Sequence, residues 1–147
     1  MDGVGPLRVS LASLLLAAWL ALFLDMTLRW FPERQPPVNL TPFRSIRHDW
    51  HAGGWHFWVN FCGNLAYFVP AGALLPLARA RPTSAGQAAL FALAVSVPVE
   101  LAQYASGRRV ADVDDVILNV SGALIGHALG RAWTWVGGEP GHFQSRQ

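Results

Sequence analysis

Four separate stretches of this chain stay apolar for about twenty residues each, which restricts what it can fold into more than any other feature. A bilayer core is roughly 30 Å thick, and a helix rises about 1.5 Å per residue, so about 20 apolar residues are needed to cross it. The stretches run from about 7 to 28, 57 to 78, 84 to 105 and 113 to 133, and the second carries no charge. Backbone inside lipid must satisfy its own polar groups, which makes each stretch a predicted helix. The expected fold is therefore all-α, a small integral membrane bundle of about four transmembrane helices. A composition of 52% hydrophobic and 14% charged residues lies outside the range of ordinary soluble domains and fits this class. Residues 1–136 are expected to form one membrane domain, and the Gly, Pro and polar tail 137–147 is expected to be disordered. The first stretch reads as a retained span, because Asp25-Met26-Thr27 offers no small-residue cleavage pattern.

Charge narrows the partners. All eleven basic residues are Arg and stand against nine acids without forming a clustered stripe, which argues against nucleic acid. Cys62, the single cysteine, lies in an apolar run and is expected to be an inert packing residue. The connection 29–56 is rich in Pro, Arg, His and Trp and is expected to lie along the membrane surface. Trp30, Trp50, Trp55 and Trp58 bracket it like an aromatic belt. Five Arg on one side of the bundle and six on the other leave the orientation undecided. His48, His51 and His56 are irregularly spaced, and no metal site is assigned to them.

With four spans, the first and third loops share one side of the membrane, and the intramembrane polar residues gather there. The first span arrives with Asp25, and the second leaves with Asn60 and Asn64 on one helical face. Glu100, Gln103 and Tyr104 end the third span on a common face, while Asp112, Asp114, Asp115 and Asn119 open the fourth. A mid-bilayer acid costs about 2.5–3.5 kcal/mol on insertion scales, so such groups turn inward and mark functional sites by default. Asn64, Glu100, Gln103, Arg109, Asp112, Asp114, Asp115 and Asn119 are the candidate polar cluster. Two plainer roles compete: Glu100 pairing with Arg108 or Arg109 to tie helices together, and Asp112 capping the fourth helix. No cofactor is assigned, although the carboxylate and amide oxygens are of the kind a divalent cation prefers. Gly122, Gly126 and Gly130 recur every four residues and allow close helix approach, within the bundle or in a homodimer. Pro70 and Gly72 are expected to kink the second span, and Pro98 to loosen the third.

Three runs carry a family resemblance: Asn39-Leu40-Thr41-Pro42-Phe43; Asn64-Leu65-Ala66-Tyr67-Phe68-Val69-Pro70-Ala71-Gly72; and Glu100-Leu101-Ala102-Gln103 followed by Arg109, Asp112, Asp114, Asp115, Asn119, Gly122 and Gly126. Together they resemble the motifs of VanZ-like membrane proteins over about residues 39 to 130. The resemblance implies a multi-pass protein of the bacterial inner membrane, acting near the cell envelope with its first and third loops outside the cytoplasm. The naming member is associated with reduced susceptibility to teicoplanin. Ser121 and Ala105-Ser106 are smaller and more polar than the family's usual choices, which implies a different site shape.

Three functions are compatible with these residues. A binding or accessory protein would hold the headgroup of an amphiphile, such as a membrane lipid, a lipid-linked cell-wall precursor or a lipoglycopeptide. An enzyme acting on a lipid or lipid-linked precursor would use a carboxylate as general base, though no nucleophile arrangement accompanies it. A small transporter would use the same acids, but the polar residues stop at one half of the bilayer.

Overall fold

The computed structural model describes residues 4–28, 38–79, 83–106 and 111–136. Within them stand five helices: α1 (Val4–Leu28), α2 (Arg44–Ala52), α3 (Trp55–Ala78), α4 (Ala85–Ser106) and α5 (Val113–Val136). The long helices stand where the four apolar stretches lie. Stretches in α1, α3 and α4, namely Pro6–Thr27, Phe57–Ala78 and Ala85–Ala105, are long and apolar enough to cross a membrane. Helix α5 has comparable length, 24 residues, but carries Asp114, Asp115, Asn119, His127 and Arg131. Its polarity is tolerated because much of it faces protein instead of lipid.

Local chemistry sets the helix ends. Ser84 and Gln87 form a reciprocal capping box at the start of α4: the amide of Gln87 donates to Ser84 Oγ at 3.2 Å, and the amide of Ser84 to Gln87 Oε1 at 3.0 Å. Between α2 and α3, Gly53 and Gly54 adopt φ values of 65° and 84°, a reversal that only glycine makes cheaply. α3 runs unbroken through Pro70 and Pro76, and α4 through Pro98, so the prolines do not end either helix. Pro70 removes the amide that Ala66 would receive from. One residue on, the Tyr67 carbonyl accepts the Trp19 indole of α1 at 2.6 Å.

In space the order is α1, α3, α5, α4, with α1 and α4 meeting to close the ring. At its centre Phe23, Phe68, Ala92, Val99 and Ala123 are buried. Trp19 stacks on Phe23 at 5.4 Å, and both meet Phe68 edge-on at 5.1 Å, the arrangement aromatic quadrupoles favour.

The α3–α5 contact is the tightest. Buried positions on α5 fall every fourth residue, at Asp114, Leu118, Gly122, Gly126 and Gly130, with Asn119, Ala123 and His127 alongside. A Cβ on Gly126 would lie 2.0 Å from the Val69 carbonyl oxygen, and one on Gly72 would lie 2.1 Å from that of Ala123. Backbone therefore touches backbone, the packing that small residues permit in membranes. The glycine stripe is occupied by α3 of the same chain. Leu124, Ile125, Leu129 and Trp133 on α5, and Leu7, Leu11, Leu14 and Leu22 on α1, face outward. Cys62 also lies on the outside of α3, contrary to its expected packing role. In a helix of period 3.6, Cys62 stands about 200° from both Asn60 and Asn64, which face the cavity, so it turns away from them.

Candidate functional site

The polar ends of all the helices meet at one end of the bundle. Asn39 is the centre of this assembly although it lies in the connection after α1 and not in a helix. Its amide donates to the Ala111 carbonyl at 3.0 Å, and its own carbonyl accepts the amide of Val113 at 3.0 Å, a short parallel bridge to the start of α5. The side-chain oxygen accepts the Thr41 amide at 3.1 Å, an Asx turn, while Nδ2 donates to Asp112 Oδ1 at 2.8 Å and to Ser45 Oγ at 2.9 Å. Every polar group of Asn39 thus has a partner, as its burial requires.

The three acids at the start of α5, Asp112 just before it and Asp114 and Asp115 in its first turn, have distinct tasks. Asp112 caps its own helix, with Oδ1 accepting the amide of Asp114 at 2.8 Å, and Oδ2 accepts the Ser45 hydroxyl. Asp114, almost fully buried, accepts the amides of Phe43 at 2.5 Å, Ser45 at 2.8 Å and Ile46 at 3.2 Å. It therefore caps α2, a helix from the other end of the sequence. Asp115 accepts from Asn64 Nδ2 at 2.5 Å and binds α5 to α3. Asp112 and Asp114 thus both hold backbone amides at helix starts.

The remaining members of the predicted cluster separate. Glu100 accepts the Asp112 amide at 2.8 Å and lines an apolar groove of about 410 Å³ with Leu40, Val97, Leu101, Tyr104 and Val116. Gln103, placed by spacing on a face with Glu100 and Tyr104, is buried and donates to the Thr27 carbonyl of α1 at 3.2 Å, whereas Tyr104 is exposed. Asn119 lies deeper, its Nδ2 donating to Ser96 Oγ at 3.1 Å and its Oδ1 buried without a partner. Arg108 and Arg109 lie outside the described residues, as does the 137–147 tail.

What the structure does bring together is a cavity of about 530 Å³ among α1, α2, α3 and α5. Asp49, Asn60, Asn64, Asp112, Asp114 and Asp115 contribute its polar lining, and Phe23, Met26, Phe57, Phe61, Tyr67 and Leu118 its apolar lining. Asn60 reaches Asp49 at 3.4 Å, linking α3 to the last turn of α2. Among the described residues no three His, Cys, Asp or Glu side chains are grouped so as to hold a metal.

A family model described as VanZ/LLP1 matches residues 10–134. The chain belongs to the VanZ/LLP1 family. No curated protein and no solved structure matches it. In this VanZ/LLP1 chain the Asn-Leu-Thr-Pro-Phe run at 39–43 is the turn that presents the first amides of α2 to Asp114. Asn39 and Ser45 were not in the expected cluster, because nothing in their local spacing announces a partner about seventy positions later. Nor was Asp49, whose isolated place on a short helix gives no pattern. The buried His127, bonded to Thr83 at 3.1 Å near the start of α4, is a further polar residue without a local signal.

Proposed function

We propose that this VanZ/LLP1 chain binds the headgroup of an amphiphile at one face of a bacterial inner membrane. The single observation behind this reading is the 530 Å³ cavity, in which carboxylates and amides share one volume with phenyl rings at the end of a membrane bundle. A ligand with a polar head and an apolar chain satisfies both linings, while a fully polar solute would leave the rings wet and a hydrocarbon would leave the acids unsolvated. Membrane lipids, lipid-linked wall precursors and lipoglycopeptides have this form. Sequestering one of them is the route by which the protein would lower glycopeptide susceptibility.

The test is teicoplanin susceptibility in a strain lacking the gene, complemented with wild type or with Asp115→Asn at matched membrane levels. Protection by wild type that Asp115→Asn loses is the expected result. Equal protection by both would exclude the cavity from the phenotype, and no protection by wild type would remove the susceptibility role.

A further inference from the structure

Helix α2 presents two faces of opposite character. Ser45, Ile46 and Asp49 are partly buried and line the cavity, while Arg44, Arg47, His48 and His51 are exposed. From Arg44 the other three follow at spacings of three, four and seven, so all four share one side of the helix. The helical period sets that side roughly opposite the cavity wall.

The chain leaves most of this basic face without a counter-charge. Among the described residues the one acid at ion-pair distance from it is Asp49, 3.3 Å from the His48 ring. Arg47 Nε donates to the Phe43 carbonyl at 3.2 Å, a neutral partner that leaves the charge in place. Arg44 meets no acid, and α2 buries none of its nine residues.

Depth identifies the anion that such a face meets. Only Gly53 and Gly54 separate α2 from α3, whose apolar, membrane-length stretch starts at Phe57. The basic face therefore stands close to the boundary of the hydrocarbon. Trp50, Trp55 and Trp58 are 62%, 77% and 53% exposed at the same level, and indoles settle between headgroups and acyl chains. Trp50 belongs to α2 itself, three residues beyond Arg47, and meets Phe57 edge-on at 5.2 Å, which ties the helix to the start of the span. A soluble polyanion would engage the arginines and leave these indoles in water, whereas a phospholipid satisfies both.

We infer that the basic face of α2 is a docking surface for anionic phospholipid headgroups, with Arg44 and Arg47 on the phosphates and Trp50 beside them at the acyl boundary. The inference goes beyond the amphiphile reading and does not depend on what the cavity holds, because the lipid lies against the opposite face of the helix. Guanidinium forks match phosphate oxygens in pairs, and anionic lipid attracts basic residues near the membrane surface. A zwitterionic headgroup brings its own ammonium and offers no net attraction.

The full chain is reconstituted in nanodiscs of phosphatidylcholine, alone or mixed with phosphatidylglycerol. Spin-labelled forms of the two lipids report their relative association with the protein, and hydrogen exchange over residues 44–52 locates it. Wild type is expected to prefer phosphatidylglycerol about fivefold or more at low salt, and to lose the preference at high salt. Exchange across α2 should be slower in the mixed discs. Arg44→Gln combined with Arg47→Gln should remove both effects. Arg8→Gln combined with Arg79→Gln, the same loss of charge at the far ends of α1 and α3, should keep the slowing and change the preference less than about twofold. Arg44→Gln alone, at a side chain without a bond among the described residues, keeps the test decisive if the double variant does not fold. No preference in wild type, an unchanged preference in the folded α2 variants, or an equal loss in the distal pair overturns the assignment. Equal slowing by inorganic phosphate in phosphatidylcholine discs would make the face a soluble-anion site and overturn it as well.

Discussion

The backbone amide of Phe43 donates to Oδ1 of Asp114 at 2.5 Å, across 71 residues of sequence. Phe43 has φ 63°, a left-handed conformation that costs a non-glycine residue about 1–2 kcal/mol. That conformation turns the amides of Phe43, Ser45 and Ile46 towards one carboxylate, and the charge-assisted bonds offset the strain. Asp114→Ala should therefore cost about 2–4 kcal/mol, less than three full charged bonds because α2 can undock and rehydrate its amides. Asp114→Asn, which keeps one acceptor oxygen, should cost about half as much. Thermal unfolding in detergent measures the loss, and hydrogen exchange at residues 43–46 locates it. Unchanged exchange there in Asp114→Ala would contradict the cap.

Asn39 leads to a sharper contrast. Its Nδ2 donates to Asp112 Oδ1 while its Oδ1 accepts the Thr41 amide, so donor and acceptor are both needed. Asn39→Asp preserves size but sets a second carboxylate against Asp112. It should destabilise by about 2–3 kcal/mol, no less than Asn39→Ala, because it adds repulsion to a lost bond. A melting temperature for Asn39→Asp above that of Asn39→Ala would show that charge at this junction is not the deciding term.

Glycine tolerance should divide by position. Gly126→Ala puts a methyl 2.0 Å from the Val69 carbonyl, where only backbone movement relieves it. At Gly63 an added Cβ meets nothing within 4 Å. Gly126→Ala is expected to abolish the monodisperse gel-filtration peak, and Gly63→Ala to melt at or slightly above the wild-type temperature, as helix propensity suggests. Equal behaviour of the two would refute the backbone contact between α3 and α5.

The residues most readable in advance were those governed by lipid. Apolar length located the long helices, and Gly122, Gly126 and Gly130 announced close packing, because both signals are local and periodic. Helix α2 was not legible. Its nine residues, largely charged or polar, bury none of their number, and its first turn is held by Asp114 from a distant helix. The same limit applies to the acids of α5: a run of three looks like one site, yet each oxygen's task depends on Asn39, Ser45, Phe43 and Asn64, which only folding brings near. Gln103 and Glu100 share a helical face by spacing, but Gln103 donates to the Thr27 carbonyl of α1 while Glu100 accepts the Asp112 amide.

That division between Glu100 and Asp115 leads to the final prediction. Both acids belong to the motif stretch, but Glu100 lines the 410 Å³ apolar groove, Asp115 lines the cavity, and Asp112 borders both. Glu100 reaches the cavity wall through the Asp112 amide, which it accepts at 2.8 Å. A Gln at position 100 still offers a carbonyl oxygen to that amide, so Glu100→Gln should change amphiphile affinity by no more than about twofold. Asp115→Asn, which alters the cavity wall itself and the side chain that receives Asn64, should weaken binding about tenfold. Comparing the two variants in one binding assay, with gel filtration to confirm folding, separates a residue that positions the loop from one that meets the ligand. If Glu100→Gln lost affinity as severely as Asp115→Asn, the groove and the cavity would have to be treated as one site.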